Sequence, residues 1–424
     1  MDRREFMKLA SLAGVSLVSP LGLGRAFAAD HHLVNTPYEG LFFVTIHASG
    51  GWDPTSLCDP KGRANETDTD PMNMYFTGDI RTAGAIHYPP VERFTPVFEK
   101  YQQRLLVLNG VDTSTNGHMS GRRHIWSGNL AEGTPSLSAL FAGSVAAGLP
   151  LTFISNGGYD YTADVVARTR IENVDALAKI AFPNRVDPNN ASALFHSEET
   201  IGRIRAARKA RRDEALEKVS LPKESKARSS LFVARRGENE LRQLTAYLPD
   251  EFDNSNNPLK RQAQLAIASY KAGLTASATL VHGGFDTHGN HDATHIPRLA
   301  NVLEGMDFLM EEAERQGVAD KLVVVVGSDF GRTPGYNMNN GKDHWSISSM
   351  MMMGPGIVGG RVIGSSDERH RAQNINAQTL AQDESGLRLT PGSIHRALRG
   401  YLGIAEHPVL APFRIGEPDL PLLG

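Results

Sequence analysis

The sequence predicts an α/β protein built on one mainly parallel β-sheet, and two patterns in its 424 residues carry that prediction. The first is a recurring unit in which an apolar, β-rich run leads through small residues to an aspartate. It occurs in LFFVTIHASGGWD (to Asp53), RLLVLNGVD (Asp112), LTFISNGGYD (Asp160), SATLVHGGFD (Asp286) and KLVVVVGSD (Asp329). Runs that are continuously apolar, rather than alternating, suit a parallel sheet covered on both faces. The second pattern is IPRLANVLEGMDFLMEEAERQG, which joins the last two runs. Its apolar positions Ile296, Leu299, Val302, Leu303, Met306, Leu309, Met310 and Ala313 fall on one helical face, and Gly317 ends it. Strand, helix and strand in that order form a βαβ unit whose strands should be parallel.

At the N-terminus, MDRREFMK places Arg3 and Arg4 ahead of the mildly apolar run LASLAGVSLVSPLGLG, and Ala26-Phe27-Ala28 follows. Twin arginine, apolar run and A-x-A box together predict a twin-arginine signal at residues 1–28, cut after Ala28. The run is too short and too polar for a membrane span. The expected compartment is therefore periplasmic or otherwise exported, with the twin-arginine translocase as a partner during export. Residues 29–424 form the expected folded domain. The single cysteine, Cys58, rules out an internal disulfide, and its polar CDPKG turn predicts an exposed or half-buried side chain.

Residues from about 165 to 255 differ in character and predict a charged helical insertion. Its cations Arg203, Arg205, Arg208, Lys209, Arg211 and Arg212 are followed by Asp213, Glu214 and Glu217, as on a solvated helix. Beyond it, Asn257-Pro258 and Thr390-Pro391 each place a cap residue before proline at a helix start. Met350 to Met353 read as a buried strand rather than a copper site. A net charge of −3 gives no electrostatic case for nucleic acid or an anionic membrane as partner.

In open parallel sheets, ligands bind beyond the carboxyl ends of the strands, where these five aspartates lie. VHGGFDTHGNHDATH concentrates four of the chain's 15 histidines there. Asp286 and His288, two apart on a loop after a strand, can point into one crevice. Asp53 and Asp329 come from other strand ends, and NGKDHW offers His344. Asp and His together suit divalent ions, zinc first, with magnesium, calcium or manganese as alternatives. A strand-end aspartate is also a common helix cap, and His282, His291 and His295 are as well explained as supporting residues.

GGWD, GGFDTHGNH, SDFGRT and GKDH, in that order, followed by GPGIVGGRVIG and a C-terminal helix, resemble a known family. It is domain of unknown function 1501, exported proteins of the alkaline phosphatase and sulfatase superfamily. The resemblance covers nearly all of the chain after the signal. It implies an alkaline-phosphatase-like three-layer α/β/α core holding one or two divalent metals. It also implies hydrolysis of a small anionic ester of phosphate or sulfate. By position, Asp53 matches the early metal aspartate, Asp286 and His288 one metal's Asp/His pair, and Asp329 a later metal aspartate. Phe330 stands where the phosphatases have a histidine, and His344 resembles the late histidine or a substitute for the missing one.

GHMSGRRHIWSG resembles the segment that carries the sulfatase nucleophile, and counting back from Gly128 puts His118 at that position. Histidine cannot become formylglycine. It could be phosphorylated or be one more ligand, while Ser120 and Thr115 are nearby hydroxyls. Arg122, Arg123 and Arg332 are candidates to hold an anionic group. The expectation is an exported metal-dependent hydrolase. The alternative is a non-catalytic binding or assembly protein on a degenerate phosphatase or sulfatase fold.

Overall fold

The computed structural model describes residues 37–171, 181–187, 190, 192–217 and 241–424. The signal expected at residues 1–28 lies outside the described residues. The first apolar run forms β1 (Phe42–Ala48). The short strands β2 (Arg81–Ala83) and β3 (Ile86–Tyr88) pair with each other. They are followed by β4 (Leu106–Asp112), β5 (Phe153–Ser155), β6 (Arg168–Thr169), β7 (Ser277–His282) and β8 (Leu322–Ser328). After these come β9 (Gly331–Arg332), β10 (His344–Trp345), β11 (Ile347–Met353) and β12 (Arg361–Ile363). Eight of them make one sheet in the order β12-β4-β11-β8-β1-β7-β5-β6. All five predicted runs are strands of this sheet.

Strand β1 sits between β7 and β8 and is parallel to both, with Val44 beside Ala278 on one side and Val324 on the other. Successive side chains point to opposite faces of a strand. Val44, Ile46, Val324, Val326 and Met351 accordingly feed one apolar core, and Phe43, Val323, Val325, Met350 and Met352 feed a second. The helices are α1 (Thr95–Tyr101), α2 (His118–Ser127), α3 (Leu137–Val145), α4 (Glu198–Glu217), α5 (Pro258–Lys271), α6 (His291–Arg315) and α7 (Pro391–Tyr401). Helices α1, α5 and α6 cover the first core, whereas α2, α3 and α7 cover the second. Two cores on one sheet define three layers. Each fully buried Val, Leu, Ile, Phe or Met contributes about 1.5–3 kcal/mol.

One local expectation changes, that for Cys58, and the others gain detail. Strand β11, the methionine run, is buried as expected but antiparallel to both β8 and β4. It therefore enters from the edge at which its parallel neighbours end, and this brings the preceding His344 to the aspartates. Helix α6 begins at His291, which puts His291 and His295 at its start, and Pro297 lies inside its second turn. Cys58 is buried rather than half-exposed, because the turn after Pro54 folds its thiol against Asn109. In the described part of the charged segment, α4 carries i,i+4 pairs Arg203–Glu199 and Lys209–Asp213 on exposed side chains. The helices expected at Asn257-Pro258 and Thr390-Pro391 form with those side-chain caps. Among the described residues, no helix is long and apolar enough to cross a membrane.

Candidate metal centre

Four segments at the carboxyl edge of the sheet meet above β1, β7 and β8. Asp286 and His288 follow β7, Asp329 follows β8, His344 precedes β11, and His118 is the first residue of α2 after β4. Ligand-type atoms of His118, Asp286 and His344 lie within 4.8 Å of one another. His288 joins them, its Nε2 being 2.9 Å from Asp286 Oδ1 and 3.0 Å from His344 Nε2. His118 Nε2 is 3.3 Å from Asp286 Oδ2, and His344 Nε2 is 2.9 Å from Asp286 Oδ1. Phe330 packs against both His118 and His344, with ring centroids 5.0 and 4.5 Å away.

The second nitrogen of each ring settles its tautomer. His118 Nδ1 is 2.8 Å from Asp329 Oδ2, His288 Nδ1 is 2.6 Å from Asp343 Oδ1, and His344 Nδ1 is 2.7 Å from the Asn116 carbonyl. A carboxylate or carbonyl only accepts, so in all three neutral rings Nδ1 carries the proton. Three unprotonated Nε2 atoms then face the Asp286 carboxylate. Lone pairs this close repel unless a proton or a cation lies between them.

Asp329 is fully buried. Its Oδ2 accepts from His118 and from Arg122 Nε at 3.2 Å, while Oδ1 lies 3.0 Å from His47 Nε2. Trp126 Nε1, a donor only, bonds His47 Nδ1 at 2.9 Å, so the His47 proton sits on Nε2 and faces Asp329. Burial works against ionisation of Asp329, but the bond from His118 and the close approach of the His47 ring outweigh it and hold the carboxyl below its usual range. The Asp329 bond in turn raises the His118 pKa. Asp286 is also held low, because the Arg332 guanidinium beside it outweighs its own desolvation. Arg332 is completely buried and donates to the carbonyls of Gly50, Gly51 and Lys342 as well as to Asp286 Oδ1. It is thus a brace for the loops and not a free anion holder.

Asp53 stands apart from the cluster. Fully buried, it accepts from Lys342 Nζ at 2.6 Å, His291 Nε2 at 3.2 Å, Ser56 Oγ at 3.0 Å and both the amide and hydroxyl of Thr55. The histidines of the 281–295 stretch divide accordingly. The Asp53 amide donates to His295 Nε2, and Thr287 Oγ1 bridges His295 and His291, so a closed ring of bonds ties the loop after β7 to the loop after β1. Their spacing of four puts both rings on one face of α6. His282 bonds the Gly283 carbonyl and Asn301, packing against Phe285.

Ser120 is turned away, bonded to Thr115 and the Gly117 carbonyl. Arg123 bonds the Leu130 carbonyl. Asp112 pairs with Arg388, and Asp160 with Arg168 and Arg170, as structural strand-end residues. Sequence reasoning missed His47, Asp343 and Lys342. A histidine inside an apolar strand, and charges flanking His344 in GKDHW, were the available signals.

The family model described as "Protein of unknown function (DUF1501)" matches residues 43–384, and the chain belongs to that family. No curated protein matches the chain. Among solved structures it is similar to a phosphonate monoester hydrolase of Agrobacterium radiobacter, at 10% identity over 86% of this chain and 74% of that one, TM-score 0.35. A 2-O GAG sulfatase is similar at 13% identity over 90% and 75%, TM-score 0.34. A protein of the alkaline phosphatase superfamily from Vibrio parahaemolyticus is similar at 10% over 95% and 76%, also with a TM-score of 0.34.

Proposed function

We propose that this chain is an exported, divalent-metal-dependent hydrolase of phosphate or sulfate esters, with His118, His288, His344 and Asp286 as the metal ligands. The observation that carries the reading is the common orientation of three imidazoles. Each Nδ1 is engaged by an oxygen acceptor, and each bare Nε2 faces the same carboxylate. Metal-binding histidines characteristically donate their other ring N–H in this way. Three nitrogens and one carboxylate suit zinc better than magnesium or calcium. A divalent ion held there supplies Lewis acidity toward a phosphoryl or sulfuryl oxygen and acidifies a water.

The protein's own groups then have distinct roles. Asp329, Asp343 and the Asn116 carbonyl fix the ring orientations, and Arg332 holds Asp286. Arg122, about a third exposed and anchored by Nε to Asp329, presents its guanidinium beside the cluster, where it can engage two oxygens of an anionic ester. His118, at the resemblance's nucleophile position, is read as a ligand, and Asp53 is left out because its oxygens are already engaged. Water is the proposed nucleophile, since Ser120 is bonded elsewhere. Arg3-Arg4 and Ala26-Phe27-Ala28 support export through the twin-arginine translocase to the periplasm.

Elemental analysis of the purified protein beside Asp286→Ala, followed by a panel of phosphate monoesters, phosphodiesters and sulfate esters, tests this. The expected result is near-stoichiometric metal in the wild type, background metal in Asp286→Ala, and turnover of at least one ester class. Background metal in the wild type would overturn the centre. Bound metal with no turnover would overturn the hydrolase and favour the binding protein.

A further inference from the structure

Resting on the metal-centre reading for its effect on affinity, we infer that the Lys342 ammonium is a built-in cation locked onto Asp53, and that this lock positions the loops carrying the ligands. Lys342 and Asp53 side chains are both fully buried. The three protons of the ammonium face three oxygens: Asp53 Oδ2 at 2.6 Å, Asn73 Oδ1 at 3.0 Å and Thr55 Oγ1 at 3.4 Å. Asn73 closes the cage by donating to the Thr55 hydroxyl, the Thr55 carbonyl and the Lys61 carbonyl. The Tyr336 ring lies 5.1 Å from Nζ. This is a hard-oxygen cation site filled by the protein's own side chain.

The lock joins the loop after β1 to the two loops that carry His344 and the Asp286–His288 pair. Asp53 belongs to the loop after β1, which also receives the His291 and His295 bonds from the start of α6. Lys342 directly precedes Asp343 and His344, so the residue orienting His288 and one ligand hang from it. The backbone of Lys342 donates to the Thr287 carbonyl and accepts from Arg332, the residue that holds Asp286. Amides of Asn290 and His291 likewise bond across to the carbonyls of Asn339 and Asn340. Replacing a buried ion pair by uncharged groups of similar volume is often neutral for stability, so stability alone does not account for this one. Positioning does.

The test compares wild type with the double variant Asp53→Asn/Lys342→Met, which removes both charges together. Lys342→Met alone leaves Asp53 buried and unpaired, a change that can prevent folding. Two readouts are taken: hydrogen exchange at the Asn290, His291 and Lys342 amides, and Co²⁺ affinity by chelator competition. Expected in the double variant are unchanged protection of β1, β7 and β8, loss of loop-amide protection, and Co²⁺ affinity lower by about 10–100-fold. Unchanged loop protection in a folded double variant overturns the lock, whatever the metal result. Wild type that binds no Co²⁺ removes the metal centre instead, and the exchange data still decide the lock.

Discussion

At the residue scale, the proposed metal centre separates orientation of a ligand from ligation itself, and Asp343 is the place to measure it. Its side chain is about half exposed, and the carboxylate holds His288 Nδ1 at 2.6 Å. Asp343→Ala should leave the melting temperature nearly unchanged yet lower metal affinity about 10–100-fold, read by chelator competition. Equal affinity in the variant would show that His288 needs no carboxylate. Asp329→Ala should behave differently, because it strips a buried acceptor from His118, Arg122 and the His47 contact. It is expected to cost about 1–3 kcal/mol of stability as well as affinity, measured by denaturant unfolding. Asp286, His288, His344, Asp329 and His118 were all readable as candidates from strand ends and motif spacing. What each does was less readable: sequence spacing carries no information about which ring nitrogen is protonated, nor that Asp53 faces a lysine.

At the element scale, α2 delivers His118 and Arg122 only because it lies directly on the loop after β8. Gly121 makes that approach possible, since a Cβ there would come 2.3 Å from the Asp329 carbonyl oxygen. Gly121→Ala must therefore lift the helix, with an expected loss of about 1–3 kcal/mol in denaturant unfolding and weakened metal retention. A variant as stable as wild type and equally loaded would mean that α2 can move without consequence for the cluster. Loops meet equally closely at Gly341, where a Cβ would lie 2.0 Å from the His288 backbone. Elements of this kind were only half legible. The methionine strand was evident from its apolarity, but its direction was not, because a buried run looks alike in either sense. That reversal is what delivers His344.

At the scale of the whole molecule, the sheet and its two cores were the most legible feature, since continuous apolar runs leave few other folds. The same burial creates a shared acid sensitivity. His124, His282, His291, His295, His370 and His395 all have their pKa values lowered chiefly by burial, His395 to about 3. In the unfolded chain these rings protonate near pH 6.5. Below that pH the unfolded state binds protons that the folded state does not, so folding stability must fall as the medium is acidified. The slope is up to about 1.4 kcal/mol per pH unit for each ring that stays neutral. Asp53, Asp286 and Asp329, held low in the fold, lose their contribution only below the normal carboxylate pKa of about 4, so the histidines act first. His118, with its raised value, opposes them as a single group, stabilising the fold as pH drops below its folded value. Denaturant midpoints between about pH 8 and about pH 5, taken with a chelator present so that metal release does not intrude, should decline steadily below about pH 6.5. Stability flat across that interval would mean that these buried rings are already protonated in the fold, or are reached by water.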